Sequence, residues 1–199
     1  MLEWSEREEE QMNETVKTIL ARRAIRNFKD KAVPEEVLET VLECARFAPS
    51  AMNAQPSKFV MVRDKAVREE IGEKAKGLAR SFLEGLKKNF PERYEVINKR
   101  FTDLADPVFY GAPALLIIVA KGDFAESSAA LAAENAMIAA KSLGLGTCPI
   151  GLAVGLGQDP EVRKWLKLGE EEKIKVILAI GYPDEEPEAA PRTSETIWL

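Results

Sequence analysis

A chain of 199 residues, 46% of them hydrophobic, is long enough to bury one substantial core and is compatible with a single domain. Its 28 Lys and Arg stand against 33 Asp and Glu, a formal net charge of -5, which argues against a nucleic-acid surface, since phosphate backbones are held by clustered positive charge. Histidine is absent, which removes the usual general base and the commonest metal ligand.

Residues 1–12 read as an N-terminal extension, with Leu2 and Trp4 in an acidic run. A secretory leader would be basic here, and no apolar run approaches the length needed to span a bilayer, so the expectation is a cytoplasmic chain with no membrane partner. Residues 13–22 are predicted helical and run into the cluster Arg22-Arg23-Ala24-Ile25-Arg26. Three guanidiniums this close repel one another and call for an anion, although a solvated helix end, where cations meet the negative pole of the dipole, would also accommodate them.

Pro34 opens a second helix, in which Val37, Leu38, Val41, Leu42, Ala45 and Ala48 recur at helical spacing. That helix stops at Pro49, the head of the turn Pro49-Ser50-Ala51-Met52-Asn53-Ala54-Gln55-Pro56. An ordinary proline-bounded turn accounts for the prolines and Ser50 but leaves the Asn53 and Gln55 amides unassigned, which makes this stretch a candidate binding segment. Residues 59–62 read as a short strand, and Asp64 can cap a charged helix running through the 70s and 80s, punctuated at Pro91.

Residues 114–120 form a continuous apolar run between Pro113 and Gly122, as expected of a central strand covered on both faces. The alanine-dense helix predicted over residues 127–143 implies close packing, either inside the subunit or against a second one, and Gly144 ends it. Asp159 and Pro160 start a short helix as cap and first residue, and residues 174–180 form another buried strand. The polar, proline-rich final segment closes on Ile197-Trp198-Leu199, residues expected to dock on a protein surface. Cys44 and Cys148 have neither disulfide nor metal spacing and read as small buried hydrophobes. With no histidine, a redox cofactor that brings its own reactive atoms fits this chain well.

Four motifs in order carry a family resemblance: the arginine cluster, the Pro49–Pro56 turn, Gly144-Leu145-Gly146-Thr147-Cys148-Pro149-Ile150-Gly151, and Gly181-Tyr182-Pro183 followed by Pro191-Arg192. Together they resemble the FMN-dependent nitroreductases from about residue 13 onward. The resemblance implies an α+β, nitroreductase-like fold over residues 13–199, with a central, mostly antiparallel sheet flanked by helices and an intertwined homodimer carrying FMN at the subunit interface. It implies NADH or NADPH as electron donor, small-molecule substrates, and ping-pong hydride transfer to nitroaromatic, quinone or related acceptors. The alternatives are a non-catalytic flavin-binding or sensing module and other flavin chemistry such as dehalogenation.

On this resemblance no protein residue is catalytic, because the chemistry belongs to FMN N5. Arg26 suits the N1 and O2 edge of the ring, where reduction places negative charge. Arg22 and Arg23 suit the phosphate, joined by Arg192, and Arg22 also the ribityl or ring oxygens. The turn bearing Pro49, Ser50, Ala51, Asn53 and Gln55 corresponds to the segment a partner subunit lays against the flavin. Pro149, Ile150 and Gly151 correspond to backbone passing beside N5, where Gly151 allows close approach. Ala24 departs from the family's frequent hydroxyl residue, Ser57 from a common aromatic and Pro149 from a frequent tryptophan. No residue between 89 and 107 is assigned to the pyrimidine edge. Gly144-x-Gly146 is no dinucleotide fingerprint, so the choice between NADH and NADPH is not encoded there.

Overall fold

A computed structural model describes residues 12–199, apart from the side chain of Arg100. The N-terminal extension, except its last residue, lies outside the described residues.

Helix α1 (Glu14–Ala21) starts where Asn13 Oδ1 accepts the Val16 N–H at 3.0 Å, and stops where Arg22 turns to extended backbone while its N–H still reaches Thr18 O. The arginine cluster therefore begins at the helix end, as its position in the sequence predicts. Helix α2 (Glu35–Arg46) buries Leu38, Val41, Leu42 and Ala45 from the predicted apolar face, with Val37 and Ala48 half-buried at its margins. Strand β1 (Ser57–Val62) leads to α3 (Lys65–Asn89), capped as predicted by Asp64, whose carboxylate accepts the Val67 N–H at 2.9 Å. Pro91 begins a further helix, α4 (Pro91–Asp103), rather than merely interrupting α3. Its first-turn position suits proline, so a residue that reads as a stop is here a helix start, and the helix rests Phe101 on the core while Val96 and Ile97 stay exposed.

Strand β2 (Ala114–Ala120) is buried throughout. Helix α5 (Ala125–Ser142) follows, then β3 (Gly146–Pro149), a 3-10 segment (Gly151–Gln158), α6 (Pro160–Trp165) and β4 (Lys173–Gly181). The strands form one sheet in the order β1-β2-β4-β3, every neighbouring pair antiparallel, with Ser57 opposite Ala120, Ala114 opposite Ile180 and Gly146 opposite Gly181. Strand β2 lies inside the sheet, as its unbroken apolar run predicts.

Alternation along the strands divides the core in two. Leu115, Ile117 and Val119, with Ile177 and Ala179, meet Ile71, Ala75 and Ala79 of α3. Leu116, Ile118, Leu178 and Ile180 on the other face meet α2 and the alanines of α5, so Ala129, Ala136 and Ala140 are spent on packing inside the chain. Small side chains let α5 approach α2 and the sheet closely.

The sheet also fixes the two ends of the candidate site. Beyond β3, Ala24 bridges Thr147 in parallel and the Ile25 N–H donates to Thr147 O at 2.9 Å. At the opposite edge, β1 receives the chain from the Pro49–Pro56 turn. The last residues do not dock within a single chain: Trp198 is 91% exposed, and Ile197 and Leu199 are exposed beside it. Among the described residues no helix is long and apolar enough to cross a membrane.

Candidate functional site

An open cleft of about 550 Å³ forms where the arginine segment passes β3. Arg22, Arg23, Lys29 and Lys141 line it, a concentration of cations in a chain of net charge -5, and the acidic run Asp184, Glu185 and Glu186 lines it as well. Arg22 has only a loose tether, its Nε lying 3.8 Å from Glu134 Oε1. Arg23 folds back so that Nη1 donates to Leu20 O at 2.7 Å and Arg22 O at 2.8 Å, closing the carbonyl end of α1, while its Nε is buried with no hydrogen-bond partner among the described residues. Ala24 is half-buried against the core.

Arg26 is exposed, and its guanidinium makes no hydrogen bond or ion pair among the described residues. Its backbone N–H donates to Glu185 Oε1. Ile25 between them is buried against Gly146, where a Cβ would stand 2.5 Å from Ile25 Cγ1, so this crossing of the arginine segment over β3 admits only glycine. Burial pushes the Cys148 thiol above its ordinary pKa, with the positive charge of Arg26 drawing it back and the negative charge of Glu185 adding to the rise. As read from sequence, Cys148 is a buried thiol, but Cys44, read the same way, is only half-buried; both are free.

At the end of β3, Pro149 is exposed and Ile150 is buried with its N–H donating to Ile177 O at 2.8 Å. Gly151 is exposed, and among the described residues, its two chain neighbours aside, nothing lies within 4 Å of where its Cβ would be.

The Pro49–Pro56 turn has an unusual backbone. Met52, Asn53 and Gln55 take φ of 52°, 54° and 47°, left-handed values for three non-glycine residues within four positions. Ser50 Oγ accepts the Gln55 N–H at 3.0 Å and Asn53 Oδ1 accepts from Gln55 Nε2 at 3.1 Å, so the hydroxyl and the amides hold this shape. Left-handed residues cost about 1–3 kcal/mol each and persist where their surroundings over-determine them, often in ligand clamps. Here the strained residue Met52 is 91% exposed. Pro49, Ser50 and Gln55 line a smaller cleft of about 260 Å³ with Arg46, Ser57 and Ser128, and Ala51 and Asn53 belong to the same turn.

The two clefts share no residue. They adjoin opposite edges of a four-stranded sheet, three strand spacings or about 14 Å apart. A single chain thus brings Arg22 and Arg23 into one cleft, with Ala24 paired to Thr147 beside them, but neither Arg26 nor residues 149–151 line that cleft, and the turn lies apart from it. Arg192 lines neither cleft and lies in a segment exposed from residue 188 onward. Lys29, Lys141 and Glu185 were not singled out by the motifs. Lys29 had a weak signal, three residues beyond Arg26, and Glu185 lay in an acidic run just after Gly181-Tyr182-Pro183.

Comparison with known proteins bears on this arrangement. Residues 19–182 match the sequence profile of the Nitroreductase family. The chain is 31% identical over 173 residues to an iodotyrosine deiodinase of Thermotoga neapolitana, covering 86% of this chain and 89% of that one. It is 30% identical over 184 residues to an FMN reductase [NAD(P)H] of Bacillus subtilis, covering 91% of this chain and 70% of that one. A nitroreductase with bound FMN from Bacteroides fragilis shares the fold with a TM-score of 0.74 and 30% identity, over 94% of this chain and 99% of that one. With the matched span taking in the arginine cluster, the strained turn and all four strands, the chain belongs to the Nitroreductase family.

Proposed function

We propose that this protein is an FMN-dependent NAD(P)H oxidoreductase, working as a homodimer in which each flavin lies between the arginine cleft of one copy and the Pro49–Pro56 turn of the other. The observation that carries this reading is the division of the site: a cleft lined by Arg22, Arg23, Lys29 and Lys141 and a strained, exposed turn stand at opposite edges of one sheet, which supports a site completed by a second copy. The donor set fits the cofactor. A phosphate dianion suits planar guanidiniums, and Arg22 is only loosely paired while Arg23 keeps a buried, unpartnered Nε.

Arg22 and Arg23 hold the phosphate, with Arg192 brought in from the C-terminal segment. Arg26, exposed and with its guanidinium unengaged among the described residues, would stabilise the edge of the ring that gains negative charge. Gly151 leaves room at the 149–151 corner for a flat ring to approach. Ser50 and Asn53 of the turn hydrogen-bond it from the partner. FMN held there would supply hydride chemistry between NADH or NADPH and a small acceptor, nitroaromatic or quinone by class. The chain binds, orients and sets the local field, and solvent supplies protons, which agrees with the absence of histidine.

A second reading is reductive deiodination, favoured by the 31% identity to the Thermotoga neapolitana relative. Release of iodide from 3-iodo-L-tyrosine by the reduced protein, measured against nitroaromatic reduction, separates the two. The flavin reading itself is tested on freshly purified protein by its visible spectrum, heat denaturation and chromatography of the released chromophore. About one FMN per subunit is expected on a family-like site; a colourless chain that takes up no added FMN overturns it. Rapid bleaching by NADH or NADPH followed by reoxidation with an acceptor marks an enzyme, and a flavin that stays oxidised marks a sensing module.

A further inference from the structure

The arginine cleft contains an anion of its own. Glu185 Oε1 accepts the backbone N–H of Arg26 and, at 3.1 Å, that of Asn27. Two successive N–H groups aimed at one oxygen make a small anion nest. The carboxylate takes this nest although Arg22, Arg23 and Lys29 line the same cleft, and it forms an ion pair with none of them. More bonds stitch the same stretch down: Asn27 Nδ2 donates to Asp184 O at 3.1 Å, the Asp184 N–H to Asn27 O at 2.9 Å, and the Lys29 N–H to Tyr182 O at 2.9 Å. On the other flank the Ile25 N–H reaches Thr147 O at 2.9 Å. Residues 24–29 thus run as a ribbon between β3 and the segment 182–185.

We propose that Glu185 is a positioning residue for cofactor binding: by holding the backbone of Arg26 and Asn27 it fixes the arginine segment in its binding shape while leaving the Arg26 guanidinium open to the ligand. The inference rests on the FMN reading above. Three guanidiniums within five residues repel one another, and a neighbouring negative charge lowers that cost. A carboxylate bound to a guanidinium would relieve the repulsion but consume the donors a phosphate or ring edge needs. A carboxylate bound to the backbone relieves it and consumes none. The bond from the Arg26 N–H to Glu185 Oε1 keeps the two residues together just beyond the Ala24–Thr147 bridge to β3.

The test uses the full chain, stripped of flavin, as wild type, Glu185→Ala, Glu185→Gln and Arg26→Ala, with two readouts: hydrogen exchange at the Arg26 and Asn27 amides, and FMN affinity by fluorescence titration. Glu185→Ala is expected to speed exchange at both amides and weaken FMN binding about 10-fold, the scale of a lost hydrogen bond to a charged group. Glu185→Gln, which keeps an acceptor oxygen, is expected to recover most of both. FMN binding in Glu185→Ala as tight as wild type, or tighter, overturns the proposal and makes the carboxylate a bystander or a competitor. Unchanged amide exchange in Glu185→Ala, with normal FMN uptake by wild type and loss in Arg26→Ala, overturns the role of Glu185 alone. A wild-type chain that takes up no FMN overturns the flavin reading, whatever the exchange shows.

Discussion

Gly146 and Gly151, five positions apart, are glycines for different reasons. At Gly146 a Cβ would lie 2.5 Å from Ile25 Cγ1 and 2.9 Å from Ile25 Cβ, so Gly146→Ala must push the arginine segment off β3. Overpacking of this kind costs about 1–3 kcal/mol. A denaturant melt should show that loss, and FMN titration a weaker cofactor affinity with it. At Gly151 no described residue other than its chain neighbours comes within 4 Å of where a Cβ would be. Gly151→Ala should leave stability within about 0.5 kcal/mol of wild type, as surface substitutions usually do. If the ring approaches there, FMN affinity or hydride transfer should nevertheless fall. Equal affinity and rate in Gly151→Ala would remove the ring from that corner. A glycine's place in a motif is legible in the sequence, but which neighbour makes it obligatory is not, because Ile25 reaches Gly146 only through tertiary pairing.

Among the elements, those whose local signals agree with their surroundings were the most readable. Asp64 and Asp159 head α3 and α6 as the cap residues their positions predict. The seven apolar residues of β2 follow from burial on both faces even though the sheet is antiparallel. Helix α4 was not predicted because its opening proline, which suits a first turn, also reads as a stop. Helix α6 also offers a pH test. A hydrogen bond from Lys74 at 2.8 Å holds the Asp159 carboxyl below its ordinary value, assisted by the Val162 N–H at 3.0 Å. A depressed carboxylate contributes stability that is present above the unfolded value, about 3.9, and is lost as pH falls through the folded one. Asp159→Asn keeps a good cap and removes the charge. Its Tm should therefore lie below wild type at pH 7, with the gap closing below about pH 3.9. A gap that persists undiminished in acid would assign the effect to cap geometry rather than charge.

At the scale of the molecule, the division of the site predicts a complementation. Arg22→Ala/Arg26→Ala spoils the arginine cleft and Asn53→Ala spoils the turn, so each homodimer should bind FMN poorly. A mixed dimer has one site with both halves spoiled and one with both halves intact, so unfolding and refolding the two variants together should restore about half the wild-type FMN capacity to the mixed species. No recovery, despite dimers in solution, would place both halves of a site on one chain. The sequence by itself determined most elements, the order of the motifs and the concentration of cations after α1, because periodicity, caps and local charge are short-range properties, while the α+β class came through the resemblance those motifs carry. Only the tertiary structure decided that the arginine cleft and the turn adjoin opposite edges of one sheet, that Glu185 reaches back to Arg26, and that the alanines of α5 are used inside the chain. Strand order and side-chain reach join residues more than a hundred positions apart, and no local pattern records them.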